Sequence, residues 1–159
     1  MSDPAAAAPQ ALTYAINAQY VKDFSFENPR SPQVFAMAGQ QPQVSVGVGV
    51  HVNQLGDTAY EAILTINAEA KHGEDAVFVI ELAYAGVVTT PANVPQERLQ
   101  PLLMIEVPRQ LFPFARAILS NATRDGGFPP LLLSPVDFQD LYRQQAAQAA
   151  QAGAEAKPA

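Results

Sequence analysis

The order of patterns along the chain predicts an α+β fold, with four antiparallel strands followed by two main helices. Four segments between residues 12 and 88 alternate apolar and polar side chains with a period of two, which is typical of half-buried strands. After residue 107, apolar side chains recur every three or four residues, which is typical of amphipathic helices.

The strands are predicted over residues 12–27, 43–53, 59–71 and 76–88. The second shows the pattern most clearly, because its valines at even positions alternate with glycines and polar residues at odd positions. One face of the sheet is therefore expected to be buried and the other wet, as is common in antiparallel sheets. The same parity places Tyr20 on the apolar face and Glu61 on the wet face.

Short segments join the last three strands. QLGDT at 54–58 and HGED at 72–75 each hold a glycine beside an acid, which suits tight hairpin turns. The segment at 28–43 is longer and holds three prolines. We therefore expect a crossover between the first two strands, and not a hairpin.

Prolines punctuate the helical half of the chain. Those at 91, 95, 101 and 108 predict that any helix before residue 108 is short and broken. A longer helix is predicted to start at Pro108, with Pro113 near its first turn, and to end at Gly126. A second helix is predicted to start with Ser134 as its N-cap and Pro135 at N1.

The stretch GGFPPLLLSPVDF, residues 126–138, lies between these helices and follows neither periodic pattern. Its prolines stiffen the backbone, so its apolar side chains can be held in place without regular structure. Two interpretations stay open from the residues alone: a plug that completes the core, or one wall of an apolar groove.

Composition limits the partners of the chain. Apolar residues make up 48% and charged residues 15%, so we expect a large core or partner subunits to bury the excess apolar surface. A net charge of −6 argues against nucleic acid or an anionic membrane as the main partner, because both attract basic surfaces. The absence of cysteine excludes disulfides and thiolate chemistry.

The two ends differ in composition from the rest. Residues 1–11 and 147–159 are rich in alanine, and we expect disordered tails around one ordered domain at 12–146. The first part of the second tail also allows the preceding helix to continue. No signal peptide is recognisable and no apolar run reaches the roughly 20 residues that span a bilayer, so we expect a cytoplasmic protein without membrane insertion.

No arrangement of side chains indicates catalysis. His51 and His72 are expected to be solvated, and a metal site at His72 with its two acidic neighbours is not favoured, because such turns are common. Acids at 23, 27 and 81 share the wet face by parity, together with valines at 77 and 79. They are either a solvated face or a docking site for a basic partner. A glycosidase-type acid pair would need a cleft, which a flat sheet does not provide.

Four blocks of sequence resemble the SecB family of bacterial export chaperones. They are VKDFSFENP, SPQVF, LFPFAR and GGFPPLLLSPVDFQDLY, and their order and spacing agree with the family from residue 12 to residue 145. The resemblance implies an α+β fold with two main helices packed on one side of a four-stranded antiparallel sheet. It also implies a homotetramer built as a dimer of dimers, with no catalytic residue, metal or cofactor.

Partners and sites follow from the same resemblance. Chaperones of this kind hold unfolded precursor proteins without ATP and pass them to SecA, the export motor. The residues at SecA-binding positions are Asp23, Glu27, Val79 and Glu81. The residues expected to line the groove for client peptides are Val34, Phe35, Met37, Phe128, Leu131, Leu133, Phe138, Leu141 and Tyr142.

Two rival functions are less favoured than this one. A SecB-like chaperone dedicated to an antitoxin would have the same fold, but the acids at the SecA-binding positions argue against it. A small-ligand-binding or enzymatic domain would need convergent polar groups around a closed cavity, and the sequence shows no such cluster.

Overall fold

The computed structural model describes residues 11–37 and 39–156, so most of the predicted tail at 1–11 lies outside the described residues. Four strands form one antiparallel sheet in the order β1-β4-β3-β2. They are β1 (Ala15–Glu27), β2 (Gln43–Gln54), β3 (Ala59–His72) and β4 (Asp75–Thr89). Because β1 and β2 form opposite edges, the segment between them crosses over, and it holds a short 3-10 helix at Gln33–Ala36. The predicted sheet and crossover are confirmed.

One face of the sheet forms the core with the helices. The even positions of β3 and β4 supply most of its buried side chains, namely Tyr60, Ala62, Leu64, Ile66, Phe78, Ile80, Leu82 and Tyr84. The long helix comes close to β4 at Gly86, where a Cβ would lie 3.2 Å from Cδ2 of Leu111. A side chain at position 86 would therefore crowd the interface between helix and sheet.

Irregularities in the ladders shift the predicted parity. In β1 the register changes between Ile16 and Ala18 and again between Val21 and Asp23. Tyr20 consequently lies on the outer face, where it bonds to Glu61, and its predicted place on the apolar face is wrong. A similar shift near the β3–β4 hairpin buries Val77. Alternation predicts the face only while a strand keeps its register.

The helical half begins earlier than predicted. An unbroken helical run comprises α1 (Gln96–Pro101), a π-helical segment (Leu102–Glu106) and α2 (Val107–Asp125). α1 is short, as expected, but the expected break is absent: the helical run continues past Pro101 and Pro108, with the π-helical segment between these two prolines. Pro113 lies inside α2 and not near its first turn, whereas Gly126 ends the helix as predicted. α2 packs across β1, β3 and β4.

The last helix, α3, spans Phe138–Glu155. Its N-cap is Asp137, whose carboxylate accepts a hydrogen bond from the backbone N–H of Asp140 at 3.0 Å. The predicted cap at Ser134 is therefore wrong, because residues 129–137 form no helix. α3 continues through residues 147–155, which were assigned to a disordered tail, and alanine and glutamine favour this continuation.

Candidate functional site

An open cavity of about 620 Å³ lies between the crossover segment, the adjoining ends of β2 to β4, and the loop after α2. We call residues 126–133 of that loop the groove wall. None of the described residues that line the cavity is Asp, Glu, Lys or Arg, and His72 is the only ionisable one among them. The cavity therefore suits an uncharged, apolar segment of another chain.

Four aromatic rings connect the sheet to the mouth of this cavity. Phe26 stacks on Phe78 with ring centroids 6.2 Å apart, Phe78 lies 5.2 Å from Phe128, and Phe128 lies 5.6 Å from Phe35. Each such pair contributes about 0.5–1.5 kcal/mol beyond the area it buries. Phe35 is 48% exposed, so the outer end of the row remains accessible to a ligand.

The groove wall lies close to the crossover segment at Gly127. This residue has a φ of +90°, and a Cβ there would lie 2.8 Å from the ring of Phe35. Glycine satisfies both requirements, because it tolerates positive φ and has no side chain to clash. The amide of Asn28 donates to the carbonyl of Gly126 at 3.2 Å and ties the start of the wall to the end of β1.

The structure divides the predicted groove residues into two groups. Val34, Phe35, Met37, Phe128 and Leu131 line the cavity. Leu133, Phe138, Leu141 and Tyr142 do not line it. Leu133 and Phe138 are buried in the core, and Leu141 and Tyr142 pack against that core. These four residues lie elsewhere because the apolar side of the first turn of α3 docks that helix, with Phe138 against Phe112 at 6.0 Å.

Sequence reasoning missed the residues that reach the cavity from the sheet. Val44, His72, Val77 and Phe78 all line it. Alternation had placed Val44 and Phe78 on the apolar face, which was the available signal. The helices leave this corner of the sheet uncovered. The pattern of a single strand does not predict this, because it depends on how the helices pack on the sheet.

The acidic patch, which we define as Asp23, Glu27, Val79 and Glu81, lies on the outer face of the sheet. In the ladder, Asp23 pairs with Ala83 and Glu27 pairs with Val79. Glu81 pairs with Ser25, midway between these two acids. Paired residues project to the same face of an antiparallel sheet, and adjacent strands are about 4.8 Å apart. All three carboxylates are exposed and belong to one surface on the side opposite α2.

A further acid on the outer face, Glu61, has a different environment. Glu61 was expected on the wet face but is only 6% exposed. Its carboxylate accepts hydrogen bonds from Lys22 at 2.8 and 2.9 Å, from Asn53 at 3.1 Å, and from the hydroxyl of Tyr20. Lys22, then Tyr20 and Asn53, hold the pKa of Glu61 at about 2, against the opposing effect of burial. This network fastens the edge strands β1 and β2 to β3.

Nothing in the described ranges indicates a metal centre, since no group of three or more His, Asp or Glu side chains there is placed to hold an ion. Among the helices of residues 11–37 and 39–156, none combines the length and hydropathy needed to cross a membrane.

The fold and the two surfaces define a class of α+β protein with an open apolar groove and, on the outer sheet face, an exposed acidic patch. The family model described as preprotein translocase subunit SecB matches residues 7–149. The chain belongs to the SecB family of protein-export chaperones.

Curated relatives agree with this membership. The protein-export protein SecB of Bradyrhizobium sp. strain BTAi1 is 52% identical over 158 residues, covering 99% of this chain and 96% of the relative. The protein of the same name from Rhodopseudomonas palustris strain TIE-1 is 54% identical over 136 residues, covering 86% of each chain.

A solved structure shares the fold at low sequence identity. It is the Mycobacterium tuberculosis SecB-like chaperone Rv1957 in complex with a ChAD peptide from the HigA1 antitoxin. The TM-score is 0.65 at 14% identity, over 77% of this chain and 90% of the other. The similarity confirms the α+β architecture.

Proposed function

We propose that this protein is an ATP-independent, cytoplasmic holdase that keeps precursor proteins unfolded for export and delivers them to SecA. The observation that carries the proposal is the open, apolar cavity, whose described lining contains no carboxylate, ammonium or guanidinium group. Unfolded chains expose the apolar side chains that such a cavity can bury. Membership in a family of protein-export chaperones supports export as the purpose of that binding.

Client binding would rest on burial of apolar surface, which contributes about 25 cal/mol per Å². No sequence-specific hydrogen bonding is required by this lining, so many different clients are acceptable. Several cavities on one assembly would engage one client chain together, which raises the avidity well above the affinity of a single cavity.

The acidic patch is proposed as the surface that binds SecA. Its three carboxylates are exposed on the paired strands β1 and β4, and Val79 beside them adds a partly buried apolar contact. A basic partner surface would be attracted and oriented by these charges. The cavity and the patch involve different residues, so we expect client and SecA to bind at the same time.

A homotetramer, arranged as a dimer of dimers, is proposed as the working form. β1 is an edge strand, and Val21 and Phe24 on it are 48% and 40% exposed. Phe114 of α2 is 52% exposed and stacks on Tyr84 of the neighbouring strand. Together they supply an open strand edge and an apolar surface that a second copy could cover. Light scattering should report about 68 kDa, four times 17.0 kDa, and a mass of one chain would contradict the assembly.

The holdase proposal is tested by the refolding of an unrelated protein diluted from denaturant. We expect the chaperone to slow refolding in proportion to its concentration, and to do so equally with and without ATP. Titration with purified SecA should show saturable binding that survives occupancy by the client. Unchanged refolding would overturn the holdase role, and absent SecA binding would overturn delivery alone.

Two other functions are not adopted. Relatives that are about half identical over most of this chain are named protein-export proteins, which favours export over service to an antitoxin. The cavity is open and apolar, whereas a small-ligand site would be expected to enclose its ligand with convergent polar groups.

A further inference from the structure

We propose that Thr123 of α2 is a positioning residue that sets the client groove by holding both ends of the central segment of the groove wall. The inference rests on the proposed function for its meaning, since it assigns a role in client binding. Thr123 itself is 0% exposed and does not line the cavity. It acts through Phe128 and Leu131, which do line it.

The backbone of the groove wall has few donors with which to fix its position. Phe128 and Leu131 flank Pro129 and Pro130, and proline carries no N–H. Across residues 128–131, the N–H groups of Phe128 and Leu131 are therefore the only backbone donors. The acceptors of these two N–H groups therefore determine the position of this part of the wall.

Both donors are bound by the same residue. The N–H of Phe128 donates to the carbonyl of Thr123 at 3.0 Å. The N–H of Leu131 donates to Oγ1 of Thr123 at 2.9 Å. Phe128 and Leu131 are thus held from opposite sides of the proline pair by one residue in the last turn of α2.

The hydroxyl of Thr123 is itself held in one orientation. Its oxygen lies 3.0 Å from the carbonyls of Leu119 and of Ser120, one turn back along α2, to which its proton is donated. Its lone pairs are consequently free to accept from Leu131. A valine at this position would have nearly the same shape but would leave the N–H of Leu131 without an acceptor.

A residue that only stabilised the fold would act differently from one that positions the groove. Loss of stability alone would lower the melting temperature without changing how the folded molecules bind a client. Loss of the anchor should release the wall, weaken client binding at temperatures where the protein is folded, and leave SecA binding unaltered.

The test compares Thr123→Val, which removes the hydroxyl, with Thr123→Ser, which keeps it. Thr90→Val is the matched control, because Thr90 is also buried and its hydroxyl donates to Pro91, which lies outside the groove wall. The client probe is a globular protein kept unfolded by reduction and carboxymethylation of its cysteines. Amide exchange at Leu131 is measured in parallel.

We expect Thr123→Val to weaken client binding about fivefold and to speed amide exchange at Leu131 about tenfold, as for loss of one buried hydrogen bond. Thr123→Ser and Thr90→Val should bind the client like the wild type. Wild-type client affinity in Thr123→Val, or equal weakening in Thr123→Ser, would overturn the proposal.

Amide exchange in the wild type provides a measurement that does not depend on a variant folding. Leu131 should be protected, whereas the amide of the neighbouring, exposed Leu132 should exchange rapidly; equal rates would overturn the anchor. A wild-type protein that binds no unfolded chain would instead overturn the proposed function. Protection of Leu131 would in that case persist, so the two failures are distinguishable.

Discussion

The groove wall and the acidic patch hold their proposed binding residues in place by opposite means. The wall is irregular backbone, held by a buried threonine, two glycines and a row of aromatic rings. The patch lies on two adjacent strands, where the ladder alone brings the side chains together. Burial of apolar side chains in the core lowers the free energy of the folded state, so the restrained backbone of the wall helps to keep its apolar side chains at the surface. Charged side chains remain in water without such restraint.

The largest effect on stability is expected at Phe138, which follows the groove wall in sequence but is buried in the core. Phe138→Ala should lower the free energy of unfolding by about 3–5 kcal/mol, because it leaves a cavity beside Phe112. Urea denaturation measures the loss. Phe138→Leu keeps most of the volume and should cost less than about 1.5 kcal/mol. A variant Phe138→Ala with wild-type stability and weakened client binding would return Phe138 to the groove.

The next largest effect is a pH-dependent loss of stability, which is expected for Glu61 and not for the exposed acids of the same face. The pKa of Glu61 is lowered from 4.5 to about 2 in the folded protein. The stabilisation of the fold by ionised Glu61 is therefore complete above about pH 4.5 and is lost as the pH falls towards 2.

Glu61→Gln should cost about 1–3 kcal/mol at pH 7, and the difference from the wild type should shrink below pH 4. Denaturation curves between pH 7 and pH 3 measure it, with Glu27→Gln as the exposed control. A constant difference across this range would show that the charge of Glu61 does not stabilise the sheet.

A smaller effect tests the acidic patch as a surface that binds without supporting the fold. Glu81→Lys should weaken SecA binding about tenfold, or about 1.4 kcal/mol, while stability changes by less than about 0.5 kcal/mol. Rising salt should weaken wild-type binding as well, because exposed charges are screened beyond about 8 Å at physiological ionic strength.

The matched control for that charge reversal is Asp57→Lys in the β2–β3 turn, at the other end of the sheet. It changes the net charge equally and should leave SecA binding intact. Equal weakening by both variants would mean that SecA responds to total charge, and client binding should be normal in each.

The smallest effect is expected at the mouth of the cavity. Phe35→Ala should weaken client binding about fivefold, or about 1 kcal/mol. It should lower the free energy of unfolding by about 0.5–1.5 kcal/mol, because the ring pair with Phe128 is lost while the residue is already 48% exposed. Leu55→Ala is the control, because Leu55 is 56% exposed but lies in the β2–β3 turn. Client affinities from calorimetry compare the two, and identical values would remove Phe35 from the site.

The sequence by itself determined the four strands, their hairpins, the crossover and the end of α2. These features depend on local signals: the period of the hydropathy pattern, the residues of the turns and the glycine that ends the helix. It also placed Asp23, Glu27 and Glu81 on one face, since their parity survives the bulges of β1.

Only the tertiary structure decided which apolar residues are core and which are groove. Phe138 and Phe128 lie ten positions apart in the same apolar stretch, yet Phe138 is 1% exposed and packs on Phe112, whereas Phe128 lines the cavity. The burial of Glu61 likewise depends on Lys22 and Tyr20, which two bulges bring to its face. Burial depends on neighbours distant in sequence, and a local pattern of hydropathy does not specify them.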